Sequence, residues 1–332
     1  MTGIVTVTLN PAIDVATSVA QVTDTHKLRC ACARRDPGGG GINVARVIRR
    51  LGGDCVALYL AGGAVGQMLQ RMLDSEQVRS ACIGIAGDTR ENFSVRETTT
   101  GREYRFVLPG PVVGADEWAR VLRHGESLDP PPRYLVLSGS LPPGLPDDAY
   151  ANLARIARAR GARVVLDTSG PALKKALNER VFLVKPSLSE LRELTGAPLE
   201  TEDEWRDAAA RIVRDGRAEV VALTLGERGA MVVAAGLTLR ADALPMAVSS
   251  AIGAGDSFVG AMVWALDRGD ALDVAFRHAV AAASATLLAQ GTALCRPDDQ
   301  QRLYRVLQDQ PLHDSRAGPI PATLCVEASP PL

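Results

Sequence analysis

The chain has 332 residues, 46% hydrophobic and 23% charged, with a formal net charge of −1. That length buries one large core, or one core with a small appendage. The near-zero charge excludes nucleic acid or an anionic membrane surface as a bulk electrostatic partner.

No run reaches the roughly 18 apolar residues of a membrane span. The start, Met1 to Leu9, lacks a basic segment followed by a long apolar one, so a cytoplasmic location is expected. The six cysteines include no Cys-x-x-Cys and share no metal-ligand spacing with the four histidines, which predicts reduced thiols. Only four lysines occur, Lys27, Lys174, Lys175 and Lys185.

Ile4–Leu9 reads as a β-branched strand ending at Asn10-Pro11, with Asp14 close behind. Asp14 suits a turn or a ligand site at a strand end. Val15–Val19 and Lys27–Arg34 read as two extended segments joined by a polar turn near Asp24, whose poor alternation suits a projecting flap. Four glycines, 38–41, then run into the amphipathic pattern Ile42, Val44, Ala45, Ile48, Leu51. A linker would not lead straight into a helix. The glycines suit a ligand lying on bare backbone, with Asn43 beside it. No Gly-Lys-Ser/Thr follows, so this is not a Walker loop.

A strand (55–60), a helix (66–73) and a strand (80–85) follow. Arg90–Glu97 and Glu103–Leu108 form a hairpin around Thr100-Gly101, and 116–123 a helix. From Arg133 strands and helices alternate strictly. Strands are expected at 134–137, 163–166, 181–184 and 220–223, then near 230–234 and 237–239. Helices are expected at 147–160, 171–178, 202–215, 254–268, 272–289 and 297–308. This alternation predicts right-handed βαβ units around a mainly parallel sheet. Asp14, Ser138-Gly139, Asp167, Lys185–Glu190 and Thr224–Gly229 fall where strands end, so one rim of the sheet collects them. Residues 311–332 carry five prolines and no periodicity and are expected to be a disordered tail.

The segment Ser249–Ala265 contains Gly253-Ala254-Gly255-Asp256-Ser257, a tight turn into a helix. Helix N-termini offer unpaired N–H groups and the positive dipole end, which suit a phosphate. Asp256 in that first turn either caps the helix or takes a proton from an attacking hydroxyl.

The 38–46 segment and the 253–257 loop together resemble the two signatures of the ribokinase-like, PfkB-type sugar kinases. The likeness runs to about Leu307. Lys27–Cys30, Tyr104–Phe106, Ser138–Gly144 and Gln290–Thr292 resemble most closely the bacterial branch that phosphorylates fructose 6-phosphate. The resemblance implies a three-layer α/β/α fold over 1–310 with a small β-sheet lid from about 14–36 and 90–109. It implies transfer of the ATP γ-phosphoryl to the sugar 1-hydroxyl. Asp256 would be the base, and Gly253, Ala254, Gly255 and Asp256 an anion hole. Asp14, Gly39, Asn43 and Ser138 would hold sugar hydroxyls. Arg90, with Lys27 and Arg29, would clamp the phosphate already on the substrate, a task that suits guanidinium groups. Lys27 and Arg29 would act across a homodimer formed through the lid. Lys185, Ser187, Thr224, Gly226 and Gly229 would line the nucleotide site. Glu190 would organise Mg²⁺ through water, and K⁺ is a second cation that some members bind. Ser187 departs from the family pattern, which has Asn there; serine is the shorter and weaker acceptor. Sister substrates, fructose 1-phosphate or tagatose 6-phosphate, are the alternative, and a non-catalytic sugar-phosphate binder is a further one.

Overall fold

The computed structural model describes residues 3–24 and 26–314. Ten strands form one sheet in the order β14-β13-β12-β11-β10-β9-β8-β1-β4-β5. In chain order these are β1 (Ile4–Thr8), β4 (Cys55–Ala61), β5 (Ser80–Gly84), β8 (Tyr134–Ser138), β9 (Arg163–Asp167) and β10 (Val181–Val184). They continue with β11 (Ala218–Thr224), β12 (Ala230–Ala234), β13 (Leu237–Ala241) and β14 (His313–Asp314). From β11 to β5 all neighbours are parallel; β12, β13 and β14 add an antiparallel edge.

The inner parallel strands β8 and β10 are buried along their whole length, as their place between two helix layers requires, while the edge strand β5 is partly exposed. Along β11, Val220 and Ala222 point into one core and Val221 and Leu223 into the other. This is the period-2 alternation of a strand. The first core holds helices α1 (Gly40–Arg50), α2 (Gly63–Ser75), α8 (Ala254–Asp267), α9 (Leu272–Leu287) and α10 (Pro297–Gln308). The second holds α3 (Ala115–Ser127), α4 (Ala149–Ala159), α5 (Gly170–Ala176), α6 (Leu188–Thr195) and α7 (Glu202–Arg214). The result is the expected three-layer α/β/α architecture.

A separate four-stranded sheet has the order β3-β2-β6-β7, from β2 (Ala12–Val19), β3 (Arg34–Gly38), β6 (Arg90–Glu97) and β7 (Glu103–Phe106). The β6–β7 pair is the expected antiparallel hairpin. The extended segment expected at Lys27–Arg34 is exposed and outside any strand up to Arg34, where β3 begins. β3 pairs Asp36 with Asp14 and Gly38 with Ala12, so the ladder partner of β2 is the stretch Arg34–Gly38, which runs into the glycines. Asp14 sits inside β2, not in a turn after β1.

The position of the site follows from the topology. The chain starts at β1, runs outward to β4 and β5, then returns to place β8 on the other side of β1. Strand order reverses at the β1–β8 boundary. Loops there leave in opposite directions and open a crevice at the carboxyl ends of the strands. No helix among the described residues is long and apolar enough to cross a membrane. Of the tail expected over 311–332, residues 315–332 lie outside the described residues; just before them β14 pairs with β13.

Candidate active site

The crevice is a cleft of about 290 Å³ at the β1–β8 boundary, floored by the large sheet and roofed by the small one. Gly39, Gly40 and Asn43 line it from the start of α1, Ser138 and Gly139 from the end of β8, and Asp167 from the end of β9. Asp14, Arg90, Asn92 and Arg105 line it from the small sheet, and Gly253, Asp256 and Glu190 close it.

Asp256 is in the first turn of α8. Gly253, at φ 77°, takes the left-handed conformation that turns the chain into this helix. The first intrahelical bond runs from Ser257 N to Gly253 O, so the amides of Gly255 and Asp256 precede the ladder and face outward at the positive end of the dipole. The Asp256 Oδ2 accepts from Asn43 Nδ2 at 2.8 Å. Burial, and then the nearby Asp167 carboxylate, push the Asp256 carboxyl up to about 7. Lys185 does not cancel this, because its Nζ is bound to Asp167 Oδ1 at 3.0 Å. Burial alone would lower the Lys185 ammonium; the charges of Asp167 and Glu190 overcome that and hold it above its ordinary value.

The small sheet contributes through register. β2 and β6 set Asp14 beside Asn92 and Ala12 beside Arg90, while β7 sets Arg105 beside Ser94. Residues two apart share a face. Asn92 Nδ2 donates to Asp14 Oδ1 at 2.9 Å. Burial raises the Asp14 carboxyl, opposed by Asn92 and by the charges of Arg105 and Arg90. Arg90 donates from Nη1 to Leu108 O and from Nη2 to Asn10 O, at 2.8 and 2.9 Å. Its Nε is buried with no partner, as is the Ser138 hydroxyl. Unpartnered buried polar atoms lining a cleft fit a polar ligand. Gly39, at φ 113°, brings bare backbone to the same wall, where a Cβ would lie 2.6 Å from Thr8 Cγ2.

The sequence-derived nucleotide residues gather on a shelf next to the cleft. Ser187 bridges Thr224, whose N–H donates to Pro186 O at 3.0 Å. Gly226 and Gly229 flank the short turn after β11. Lys185 joins shelf to cleft: a Cβ on Gly255 would sit 3.6 Å from its Nζ. Ser187 and Glu190 form a capping box on α6, with Ser187 N donating to Glu190 Oε2 at 2.7 Å and Glu190 N to Ser187 Oγ at 3.2 Å. Lys27 and Arg29 are exposed and are not among the cleft-lining residues.

Asn92, Arg105 and Asp167 also line the cleft, and the sequence reading assigned them no role. Asn92 was reachable from Arg90 by strand alternation. Arg105 lay inside the Tyr104–Phe106 stretch already singled out, and Asp167 stood at a strand end.

Among the described residues no group of three His, Cys, Asp or Glu side chains could hold a metal ion. Asp167 is committed to Lys185 and Asp256 to Asn43, while Glu190 keeps Oε1 clear of its capping bond. That donor set fits Mg²⁺ arriving on nucleotide phosphates with its waters, not a protein-built cage.

The raised Asp256 carboxyl has a stability consequence. Between its ordinary value of 3.8 and about 7 the folded chain holds a proton that the unfolded chain has lost. Stability therefore falls as pH rises through that window and levels off above it. Asp256→Asn keeps a hydrogen-bonding group and removes the charge. It should melt above the wild type at pH 8, by about 1.5 °C per kcal/mol relieved for a chain of this length, with the gap shrinking towards pH 4. Scanning calorimetry at the two pH values checks this; equal melting temperatures at pH 8 would refute it.

Comparison with known proteins accords with this geometry. Residues 5–299 match the family model described as pfkB family carbohydrate kinase. The ATP-dependent 6-phosphofructokinase isozyme 2 of Mycobacterium tuberculosis (strain ATCC 25618 / H37Rv) is 43% identical over 91% of this chain and 89% of its own. Its Escherichia coli (strain K12) namesake is 40% identical over 92% and 99%. The crystal structure of phosphofructokinase-2 from Escherichia coli in complex with potassium matches with a TM-score of 0.89 at 40% identity, covering 93% of this chain and all of that one. Its complex with fructose-6-phosphate gives 0.88 at 39%, with the same coverage. The chain belongs to the pfkB family of carbohydrate kinases.

Proposed function

We propose that this kinase moves the γ-phosphoryl of ATP to the 1-hydroxyl of fructose 6-phosphate, giving fructose 1,6-bisphosphate and ADP. The observation that carries the reading is the spacing of charge in one cleft. A carboxylate poised near neutral pH stands at a helix N-terminus on the floor, and Arg90 and Arg105 line the roof. A general base works best with a pKa near the working pH. Two guanidinium groups suit a substrate that already carries a phosphate; an unphosphorylated sugar needs no such pair.

The steps follow from the residues. Asp14, Asn43, the Gly39 backbone and the unpartnered Ser138 hydroxyl hold the sugar hydroxyls. Asp256 accepts the proton of the 1-hydroxyl as its oxygen attacks the γ-phosphorus, and the bond to the ADP oxygen breaks. The amides leading into α8 stabilise the charge on the transferred group. Lys185, Ser187, Thr224, Gly226 and Gly229 support the nucleotide from the shelf. Mg²⁺, held by the phosphates and by water on Glu190, would neutralise phosphate charge. The similarity to two ATP-dependent 6-phosphofructokinases and to a phosphofructokinase-2 in complex with fructose-6-phosphate supports the substrate.

The small sheet supports a homodimer contact. Phe93 and Phe106 are cross-strand neighbours on it, 40% and 54% exposed. Lys27 and Arg29, outside the cleft of their own subunit, would then reach the partner's.

The central test is ADP release from MgATP with fructose 6-phosphate, fructose 1-phosphate, tagatose 6-phosphate and ribose in parallel. We expect the highest kcat/KM with fructose 6-phosphate and a loss in Asp256→Asn of about 10²–10⁴-fold in kcat, the range for a general base. Preference for another sugar, or an active Asp256→Asn, would overturn the reading. A mixing experiment tests the dimer. Asp256→Asn and Lys27→Ala subunits, each impaired alone, should regain turnover when exchanged into hybrids. No gain on mixing would remove Lys27 from the partner's site.

A further inference from the structure

Arg46 is fully buried in α1, one turn after Asn43, and the reaction as described makes no use of it. Burying a guanidinium is costly unless its donors are met. Here they are met by three different elements. Nε and Nη2 donate to Glu76, next to α2, at 2.9 and 2.6 Å. Nη1 donates to Pro37 O in β3 at 2.8 Å, and Nη2 lies 3.6 Å from Asp36 Oδ1. Nη1 also donates to Asn43 Oδ1 at 3.3 Å.

The last contact has a consequence for the base. A primary amide offers an acceptor at Oδ1 and donors at Nδ2, while a guanidinium has donors only. The atom of Asn43 that faces Arg46 must therefore be Oδ1. Nδ2 is then turned to Asp256, where it donates at 2.8 Å. The flipped amide would set donor against donor at Arg46 and acceptor against carboxylate at Asp256. Asp36 is itself fixed, accepting from Thr292 Oγ1 and from Arg34.

We infer that Arg46 is a positioning residue for phosphoryl transfer: held by Glu76, Pro37 and Asp36, it locks the Asn43 amide with Nδ2 on Asp256 and so ties the small sheet to the base. This rests on Asp256 as the base and is independent of which sugar is accepted. The groups acting on Asp256 are Asn43 from α1, Asp167 from β9, Lys185 after β10 and Asp14 from β2. Of these Asn43 is the one that Arg46 orients. The groups around Arg46 are Glu76, Asp36, Asn43, Arg34 and Arg50; Arg50 lies 3.6 Å from Glu76.

The test is Arg46→Lys, which keeps the charge and loses the planar fork that meets three partners at once. The readout is the titration of the Asp256 carboxyl by ¹³C NMR, assigned by its loss in Asp256→Asn. A hydrogen bond to the ionised carboxyl lowers its pKa, so freeing the amide should move the titration up by about one pH unit. Turnover at pH 7 should fall about fivefold and recover at higher pH, with sugar-phosphate KM within about twofold. In an Asn43→Ala background the same change should add no shift. A lower melting temperature with an unmoved titration would make Arg46 merely structural. A full shift in the Asn43→Ala background would mean that it acts without Asn43. Either result overturns the inference. Glu76→Asp, at a half-buried position, loosens the fork from its other side at constant charge and covers the case of an Arg46→Lys chain that fails to fold. It should shift the titration the same way, and no shift overturns the inference. The titration needs no substrate. A chain inactive with every sugar would sink the proposed reaction while this network was still decided.

Discussion

One negative charge, on Asp256, sits in a half-buried turn without a cation of its own. Its one side-chain hydrogen bond comes from a neutral amide, Asn43. The nearest lysine is bound to a different carboxylate, Asp167. In water such a carboxyl would titrate near 4; here burial and the second carboxylate bring it to about 7. A carboxylate left this uncompensated is costly to folding, and the packing around it is correspondingly tight. α1 and α8 cross closely enough that a Cβ on Gly260 would lie 2.9 Å from Val47 Cβ. That contact brings Asn43 to within a hydrogen bond of a residue 213 positions away.

The same logic explains why the site lies where it does. Parallel strands put their carboxyl ends on one edge, and the reversal of order between β1 and β8 opens that edge. Ser138, Asp167 and Lys185 each follow directly from, or end, an apolar strand. The large sheet fixes the floor, while the small sheet brings Asp14 and Asn92 as a cross-strand pair, with Arg90 from β6 and Arg105 from β7. Residues from both sheets line the cleft beside the first turn of α8.

Much of this was legible in the chain. The strand–helix alternation after Arg133 follows from hydrophobic period, and the rim residues follow from where each apolar run stops. The glycine run and Gly253–Asp256 stand out because few other structures need such backbone. The misses have physical causes. Ser187–Glu190 was read for its ligand chemistry, and the same Ser-x-x-Glu spacing is a capping box that starts α6, a helix missing from the expected elements. β3 went unread because its pairing residues are charged, proline or glycine, with no alternation to see. Arg105 and Asn92 became site residues only through cross-strand register, which one strand's sequence does not contain. Lys27 and Arg29 lie on an exposed segment outside the cleft of their own subunit, where a role across a dimer would put them. Arg46 closes the 38–46 segment, and nothing in the sequence shows that it is buried against Glu76, 30 residues on.

The claim at the centre is that Asp256, ionising near neutrality, accepts the proton in the phosphoryl-transfer step. Rapid-quench single turnover of enzyme-bound ATP and fructose 6-phosphate from pH 5.5 to 8.5 measures that step apart from product release. The account predicts a rate that falls about tenfold per pH unit below about 7 and is level above it. A rate independent of pH across that range would contradict it.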